Sequence, residues 1–552
     1  MIKKWTPFAI IAIIGFLVYF RTLFFNFTYL DDNNLILDNQ LFLSNLANIF
    51  KSFSIDVFHL FNNSAFYYRP LLNISFLFDY QLGGAFPFIY HLTNMVLHIT
   101  ASCLLFIFLI KLNYRKIISF IFSIIFLVHP VLTQAVAWIP GRNDSMLAVF
   151  VLLTFIFFIK YLKEEKGNNL LFSLIFFAAS LFTKESGLLI VPILILYFYF
   201  IYEKREKNYL STKHTFFIWS ICIVIFWILL RHLVIGNSNP ISFIGMIKSI
   251  WINFPAVIQF IGKIFLPFNL SVLPIMEDTT FIYGIISIIL LLIIILFTKV
   301  KRWNYILFGV GWFFAFLLPS FIRPNTGLVA DFIQHRLYVP IIGIFIILLE
   351  TDFVNKINFK KKSVLVMVGI LIFILSVTSI IFSGNFANRL AFWNNAVNNS
   401  PHYPLAHRNL GAMELLDGNM DNAEKEFKKA LILNSNEQMV HNNLGLIYAE
   451  RGQFVDAEIE YNKELEINPI YENAYLNLGL LYFQTGRNEE AIISWKKVLR
   501  INPDNIEALK YLTSYYYKEK NYQEAIMFAG KLYRMGLAIP TELLKVVKLS
   551  GY

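Results

Sequence analysis

Charged residues and cysteines are both scarce in this chain of 552 residues. Asp, Glu, Lys and Arg together make up 15% of the sequence, whereas 57% is hydrophobic and 17% aromatic. Since soluble domains carry about 25% charged residues, the composition excludes a wholly soluble protein and predicts a membrane protein. The two cysteines, Cys103 and Cys222, lie in separate apolar runs. They are too few for a disulfide framework and are predicted to be packing residues.

Motifs for tightly bound cofactors are also missing. No cluster of His, Cys, Asp or Glu has the spacing of a metal site, and no glycine-rich loop has the form of a nucleotide-phosphate cradle. The net charge is +11, but the basic residues are scattered through loops that flank apolar runs, which argues against a nucleic-acid surface. The sequence therefore predicts no tightly bound metal or cofactor and no nucleic-acid partner.

Long apolar runs dominate the first two-thirds of the chain. A membrane-spanning helix needs about 20 mostly apolar residues. Eleven segments are predicted to span the membrane: 6–25, 88–110, 117–136, 145–162, 169–183, 186–202, 215–234, 280–298, 304–320, 337–350 and 363–383. The first is predicted to be retained, because no small-x-small cleavage site follows it. The interrupted apolar stretch 247–272, which contains Pro255, Lys263 and Pro267, is predicted to be a re-entrant or interfacial helix on the outer face.

Basic residues predict the orientation of these segments. If the N-terminus is inside and each segment crosses once, every inner loop is basic, from Lys3 and Lys4 at the start to Lys360, Lys361 and Lys362 before the last span. This pattern satisfies the positive-inside rule. We therefore expect an integral protein of the cytoplasmic membrane with a cytoplasmic N-terminus. Everything after residue 384 is then expected outside the cytoplasm.

A second domain, 385–552, is predicted to follow the membrane domain, 1–384. Its sequence repeats with a period of 34: glycines stand at 411, 445 and 479, and alanines at 423, 457, 491 and 525. This spacing resembles the tetratricopeptide repeat (TPR), a pair of helices that stacks into an α-solenoid. Three good copies (404–437, 438–471 and 472–505) precede a degenerate fourth (506–539), in which Thr513 replaces the glycine. Such a solenoid binds partners in its groove, so any catalysis is expected in the membrane domain.

Two adjacent carboxylates, Asp31 and Asp32, directly follow the first predicted span. Charge near hydrocarbon is expensive, so this pair must be solvated, paired or functional. The predicted topology places further polar segments on the same outer face. They are Tyr67-Tyr68-Arg69-Pro70-Leu71, the run from Gly83 to His98 with His91 and Asn94, His129 to Trp138, Gly141-Arg142-Asn143-Asp144, Lys184-Glu185-Ser186-Gly187 and His335-Arg336-Leu337-Tyr338.

In their order along the chain, these motifs and the terminal repeats resemble those of the transmembrane, TPR-containing protein O-mannosyltransferases and their prokaryotic relatives, which are GT-C glycosyltransferases. The resemblance implies an all-α polytopic bundle followed by a TPR solenoid. It also implies transfer of a sugar, mannose in this family, from a polyprenyl-phosphate donor to an acceptor hydroxyl outside the cytoplasm. An adjacent solenoid favours a polypeptide acceptor that is bound in the TPR groove.

The reaction assigns roles to these residues. An acceptor hydroxyl that attacks the anomeric carbon needs a carboxylate base, as in inverting glycoside chemistry. Asp31 or Asp32 is the predicted base, and the family resemblance slightly favours Asp32. A departing lipid phosphate needs fixed cations, for which Arg142, Lys184, Arg336 and His335 are predicted. Further site candidates are Arg69, His91, His129, Asp144 and Glu185.

Structural roles and other functions stay open at this stage. His91 and His98 would also suit contacts between helices, His129 a helix cap, and Asp144 an ion pair with Arg142. Two alternative functions are a transporter and a non-catalytic assembly protein that acts through its repeats. A transporter would carry its binding site near the bilayer midplane, where this chain has almost no charge. An anchor for a scaffold would need one span and no polar cluster outside the membrane.

Overall fold

A computed structural model describes residues 5–60, 67–202, 210–236, 242–299, 302–322, 332–539 and 541–549. Within these ranges the elements are helical and no β-strand is present, so the predicted all-α class is confirmed. The chain divides into two compact units, Met1–Ser400 and Pro401–Tyr552. Residues 385–400, which the sequence assigns to the repeat domain, group with the first unit.

The first unit contains nineteen α-helices among its described residues. They are α1 (Thr6–Tyr19), α2 (Gln40–Ser44), α3 (Asn48–Lys51), α4 (Pro70–Gly83), α5 (Pro87–Lys111), α6 (Lys116–Val128), α7 (Gln134–Ala137), α8 (Arg142–Glu164), α9 (Gly167–Thr183), α10 (Ile190–Phe200), α11 (Leu210–Ile235), α12 (Phe243–Asn253), α13 (Ala256–Phe265), α14 (Ile282–Phe297), α15 (Trp303–Leu317), α16 (Ile341–Leu349), α17 (Asp352–Asn355), α18 (Lys362–Ser383) and α19 (Arg389–Asn399).

The predicted spans are all helical, but their number is not confirmed. Within the described ranges six helices are long and apolar enough to cross a membrane, and eight if each of two bent pairs is one span. Helices α9, α10 and α14 are apolar but shorter, and α16 has only nine residues. Helix α4 lies where no helix is predicted. It begins at Pro70, since proline has no N–H to lose in a first helical turn, and ends before Gly84, whose φ is +60°.

The centre of the first unit is formed by α5, α6 and α8. The segment Ile139–Glu164 is 78% buried within the protein, whereas Lys362–Phe386 is only 11% buried and therefore presents most of its apolar side chains outward. Close helix contacts depend on glycine. At Gly343 in α16, a Cβ atom would collide with the backbone of α15, which agrees with the small residues found where membrane helices approach closely.

The stretch 247–272, predicted to be re-entrant or interfacial, contains two short helices, α12 and α13. They meet at a bend of 50° at Phe254 and Pro255. Proline at this position cannot donate a hydrogen bond to the preceding turn. The break between the two helices therefore falls at Pro255. A bend of this size is compatible with a broken span or with a re-entrant loop.

The second unit is a stack of helix pairs. Its helices are α20 (Pro404–Leu416), α21 (Met420–Leu433), α22 (Val440–Glu450), α23 (Phe454–Ile467), α24 (Glu472–Gln484), α25 (Asn488–Ile501), α26 (Ile506–Lys518), α27 (Tyr522–Arg534) and α28 (Thr541–Leu549). The period of 34 therefore corresponds to one helix pair per repeat, as predicted.

The repeated glycines pack against aromatic rings. A Cβ atom at Gly411 or Gly445 would lie within 2.8 Å of Phe427 or Tyr461, respectively. Any larger residue would overpack these helix contacts. In the degenerate fourth repeat Thr513 takes the place of the glycine, and the residue at the corresponding partner position is the small Ala529. In the fourth repeat, threonine and alanine thus stand at the two positions that glycine and an aromatic residue occupy in the earlier repeats.

A candidate active site around the acidic loop

The acidic pair lies in a loop between a 3-10 helix, Phe20–Phe24, and a π-helix, Asn33–Leu37. Two residues of this loop, Tyr29 and Asp31, have φ values of 60° and 66°. A left-handed conformation is unfavourable for most side chains and is best tolerated by Asn and Asp among non-glycine residues. Two such residues so close together indicate a loop whose conformation is imposed by its surroundings.

Three hydrogen bonds hold the loop in place. The indole Nε1 of Trp138 donates to the Leu30 carbonyl at 3.0 Å, and that of Trp393 donates to the Thr28 carbonyl at 3.1 Å. The Asn26 N–H donates to the Ala387 carbonyl at 2.9 Å. The loop is therefore fixed both to the segment before α8 and to the segment around α19.

The structure gives the two carboxylates different surroundings. Asp32 is fully buried, and its Oδ2 accepts hydrogen bonds from the N–H and the hydroxyl of Thr28, at 2.6 and 3.0 Å. Its Oδ1 has no hydrogen-bond partner among the described residues. Asp31 is partly exposed. Asp32 thus closes the loop onto Thr28, whereas Asp31 is the more accessible of the two.

The pKa of Asp32 is raised to about 7, mainly because the side chain is buried; the charge of Asp31 contributes to the rise, and the hydrogen bonds from Thr28 oppose it. Near neutral pH, Asp32 therefore carries a proton for much of the time. A protonated Asp32 places no like charge beside Asp31.

The raised pKa of Asp32 predicts a pH-dependent stability difference. The folded protein holds a proton that the unfolded chain, with an ordinary pKa of 3.8, has released, so this contribution to stability is lost progressively as the pH rises from about 4 to about 7 and is gone above that. Asp32→Asn cannot titrate. We expect the apparent unfolding temperature of Asp32→Asn, minus that of the wild type, to increase between pH 5 and pH 8 in thermal scans of the full chain. A difference that stays constant over this range would contradict the assigned burial.

A cluster of charged groups also contacts Trp138, through His335. The Trp138 ring packs against the imidazole of His335, with 5.3 Å between centroids. His335 Nε2 lies 3.7 Å from Asp144 Oδ2, and the other oxygen of Asp144 accepts a hydrogen bond from Lys184 Nζ at 2.7 Å. Trp138 therefore connects the acidic loop, through His335, to the ion pair of Asp144 and Lys184.

The same charged cluster includes Arg69 and Glu185. Arg69 Nη2 lies 2.9 Å from Glu185 Oε2, and its guanidinium stacks on Tyr67 at 4.4 Å. Arg336 contributes to the electrostatic environment of both Lys184 and His335. Four motifs that are far apart in sequence thus meet at one place, as the predicted clustering requires.

His335 is not the cation that the sequence predicts. Burial and the nearby charge of Lys184 hold the pKa of His335 well below its usual range. The ring therefore favours the neutral form, in which it can donate or accept a hydrogen bond.

Arg142, predicted to bind the donor phosphate, lies outside this cluster. It is fully buried, and its guanidinium forms an ion pair with Asp79 at 2.5 Å. It also donates to Asn94 Oδ1 at 2.7 Å and to the Tyr90 carbonyl at 2.8 Å. With its donors occupied inside the bundle, Arg142 connects α4, α5 and α8, and the structure gives it no access to a substrate. It does not pair with Asp144.

The predicted histidines lie within the helix bundle. His98 bonds to the Tyr338 hydroxyl at 2.6 Å and to the Leu127 carbonyl at 2.8 Å. His129 caps the short helix that follows it by accepting from the Val131 N–H, and it bonds to the Ile264 carbonyl at 2.9 Å. His91 is buried and packs beside Phe25 at the start of the acidic loop. His91 thus contacts the acidic loop at its first residue.

Sequence reasoning missed three residues that shape this site: Asp79, Trp138 as a link, and Thr28 as the partner of Asp32. Asp79 had a visible signal, because it is the single acidic residue of the apolar run 70–88. The other two contacts depend on tertiary structure. Among the described residues no three His, Cys, Asp or Glu side chains are grouped to hold a metal ion.

Comparisons with known proteins agree with both parts of the chain. Residues 81–231 match the family model described as dolichyl-phosphate-mannose-protein mannosyltransferase, and residues 472–505 match the tetratricopeptide repeat. The second match has the same boundaries as the predicted third repeat.

Curated relatives include protein O-mannosyl-transferase tmtc2 of Xenopus laevis, 31% identical over 41% of this chain and 29% of that protein. The human TMTC2 protein is 29% identical over 39% of this chain and 27% of its own length. Protein O-mannosyl-transferase F38B6.6 of Caenorhabditis elegans is 26% identical over 68% of this chain and 54% of its own length. The matched part of this chain thus spans less than one third of the first two relatives.

Among solved structures, the protein MamA matches with 21% identity over 26% of this chain and 85% of its own, at a TM-score of 0.24. The family resemblance predicted from the motifs is confirmed by the family models and the curated relatives.

Proposed function

We propose that this chain, a relative of the transmembrane, TPR-containing protein O-mannosyltransferases, transfers a sugar from a polyprenyl-phosphate donor to a hydroxyl of an exported protein. The sugar is mannose and the acceptor is a Ser or Thr side chain. The curated relatives carry the name of protein O-mannosyl-transferases, and the several apolar helices support an integral membrane enzyme.

One observation carries the mechanism: Trp138 joins the acidic loop to a cluster that contains partly buried cations. Sugar transfer needs a base at the attacking hydroxyl and positive charge at the departing phosphate, on opposite sides of the anomeric carbon. The acidic loop supplies the first requirement, and the cluster with Lys184 supplies the second. A rigid aromatic spacer between them suits a substrate that must reach both.

Asp31 is the proposed general base, and Asp32 is a positioning residue. The acceptor oxygen forms a bond to the anomeric carbon while the bond from that carbon to the phosphate oxygen breaks, and Asp31 takes the proton from the hydroxyl. The lipid phosphate leaves with the electron pair. Because a single displacement inverts the anomeric carbon, the product linkage has the configuration opposite to that of the donor. Asp32 holds the loop through Thr28.

Lys184 and Arg336 are the proposed cations for the departing phosphate. Burial lowers the pKa of Lys184, and the pair with Asp144 opposes this effect and favours the charged form. Asp144 therefore positions a charged Lys184 near the reaction. Neutral His335 serves as a hydrogen-bond group at the same place, and Arg69, held by Glu185, extends the positive charge of the cluster.

The same proposal includes the side of the membrane on which the reaction takes place and the way in which the acceptor is bound. The basic loops support a position of the acidic loop and the repeats outside the cytoplasm, where acceptors are exported polypeptides. Stacked repeats bind extended partners along their groove, and we assign them the capture of the acceptor. A tag placed after Tyr552 is therefore expected to react with a membrane-impermeant label in intact cells.

The experiment that tests the proposed function compares donors. The purified full chain is incubated with an extract of exported proteins and with either a labelled polyprenyl-phosphate mannose or labelled GDP-mannose. We expect label in protein with the lipid donor only. Equal incorporation from the nucleotide sugar, in a preparation without polyprenyl phosphate, would contradict a lipid-linked donor.

A further inference from the structure

The two helices of the bent pair, α12 and α13, differ in exposure: α12 presents apolar side chains outward and α13 is buried inside the protein. Helix α12 exposes large apolar side chains, including Phe243, Ile244 and Trp251. An apolar surface of this kind is stable only against lipid or another apolar surface. Helix α13 is instead almost entirely buried, so its polar residues face the interior of the first unit.

Two buried polar residues of α13 lack partners. Gln259 is 3% exposed, and neither its amide nitrogen nor its amide oxygen has a hydrogen-bond partner among the described residues. Lys263 is 6% exposed, and the described residues offer it no hydrogen bond and no ion pair. The two residues are four positions apart and therefore lie on the same face of the helix.

The groups packed around them do not neutralise a lysine. Phe260, between the two, contacts the rings of Phe321 and Phe332. The carbonyl of Ile264, next to Lys263, already accepts a hydrogen bond from His129. An ammonium group and an amide in such surroundings are expensive unless a ligand satisfies them.

The chemistry of the pair defines that ligand. An ammonium group donates three hydrogen bonds and an amide nitrogen donates two, so the ligand must carry several acceptor oxygens and a negative charge. The exposed apolar surface of α12, next to the two residues, fits a lipid surface, and the common anion there is a phosphate in a lipid headgroup. Lysine suits phosphate as a compact point charge.

We propose that Gln259 and Lys263 bind the phosphate of a membrane lipid. Within the proposed function that lipid is the polyprenyl-phosphate carrier, and Lys263 takes the phosphate-binding role that the sequence assigns to Arg142. The anion site itself stands on the two unpartnered residues of α13, and only the identity of the carrier rests on the proposed function.

Binding by the purified full chain tests this site. The probes are a polyprenyl monophosphate, the uncharged polyprenol of the same length and phosphatidylglycerol, each measured by native mass spectrometry in a neutral detergent. The variants are Lys263→Met and Gln259→Leu. Lys248→Met is the matched control, because Lys248 is an exposed lysine of the same helix pair.

We expect Lys263→Met to weaken binding of polyprenyl monophosphate by about 10- to 100-fold, as loss of charge-assisted hydrogen bonds implies. Gln259→Leu should weaken it less, and Lys248→Met should leave it within about twofold of the wild type, since a lone exposed charge contributes little. Polyprenol should bind all four proteins alike. Without ligand, Lys263→Met should unfold at a higher temperature than the wild type, since it removes an uncompensated buried charge.

The two lipid phosphates distinguish the source of the ligand. Binding of polyprenyl monophosphate alone assigns the site to the carrier, and Lys263-dependent binding of both assigns it to lipid phosphate in general. Equal binding of polyprenyl monophosphate by Lys263→Met and the wild type would overturn the proposal, as would equal losses for polyprenol and its phosphate. If the wild type shows Lys263-dependent binding but no sugar transfer, the proposed function fails and the anion site stands.

Discussion

Replacing Asp31 by Asn is expected to reduce sugar transfer by about 10²- to 10⁴-fold, the usual cost of losing a general base. The substitution removes the group that accepts the proton of the acceptor hydroxyl. It should not disturb the loop, because Asn tolerates the left-handed conformation that Asp31 adopts, with φ 66°, at least as well as Asp does. Binding of the lipid donor should therefore persist while turnover is lost.

The measurement is the initial rate of label transfer at saturating donor, with donor binding measured on the same preparations. Asp38→Asn is the matched control, since Asp38 is an exposed carboxylate just after the same loop; its rate should be near that of the wild type. Asp32→Asn should lower the rate less than Asp31→Asn. Near-normal transfer by Asp31→Asn together with loss in Asp32→Asn would reverse the two assigned roles.

The second large effect concerns the buried pair of Asp79 and Arg142. Each side chain is at most 5% exposed, so removing one partner leaves a buried charge without compensation, at a cost of about 3–5 kcal/mol. We expect Arg142→Met and Asp79→Leu each to lower the yield and the unfolding temperature of the full chain sharply. The double variant should recover part of that loss, because it no longer buries a lone charge.

A double-mutant cycle on the unfolding temperatures measures this coupling. Lys184→Met provides the comparison, because it should keep the fold better while weakening donor use and turnover together. If Arg142→Met keeps the stability of the wild type and loses donor affinity, then Arg142 binds the phosphate as the sequence predicts, and the scaffold role is wrong.

Periodicity and composition predict most of the fold. Apolar runs identify the long helices of the first unit, and a period of 34 identifies the repeats, whereas α4 and the short helices α2, α3 and α17 are not predicted. Helix α4 escapes because Asn73 and Asp79 interrupt its apolar run, and both are buried by neighbouring helices. The number of spans does not follow from apolar runs either, for a different reason: α9, α10 and α14 are shorter than the other apolar helices.

The site is predicted less completely because its roles depend on tertiary contacts. Sequence brings Arg69, Asp144, Lys184 and His335 to one face, and the structure brings their side chains together. The sequence does not show that burial favours the neutral form of His335. Nor does it show that Arg142, four residues after Trp138, pairs with Asp79 and not with Asp144. The different roles proposed for Asp31 and Asp32 follow from one turn, in which Asp32 accepts a hydrogen bond from the Thr28 N–H.

The anomeric configuration of the product tests the central claim most directly. The purified chain is given a polyprenyl-phosphate mannose of known configuration and an extract of exported proteins, and the labelled glycopeptides are characterised by mass spectrometry and nuclear magnetic resonance. The proposed single displacement with Asp31 as base predicts hexose on Ser or Thr, in the configuration opposite to that of the donor. Hexose with the configuration of the donor, or no hexose on protein, would contradict it.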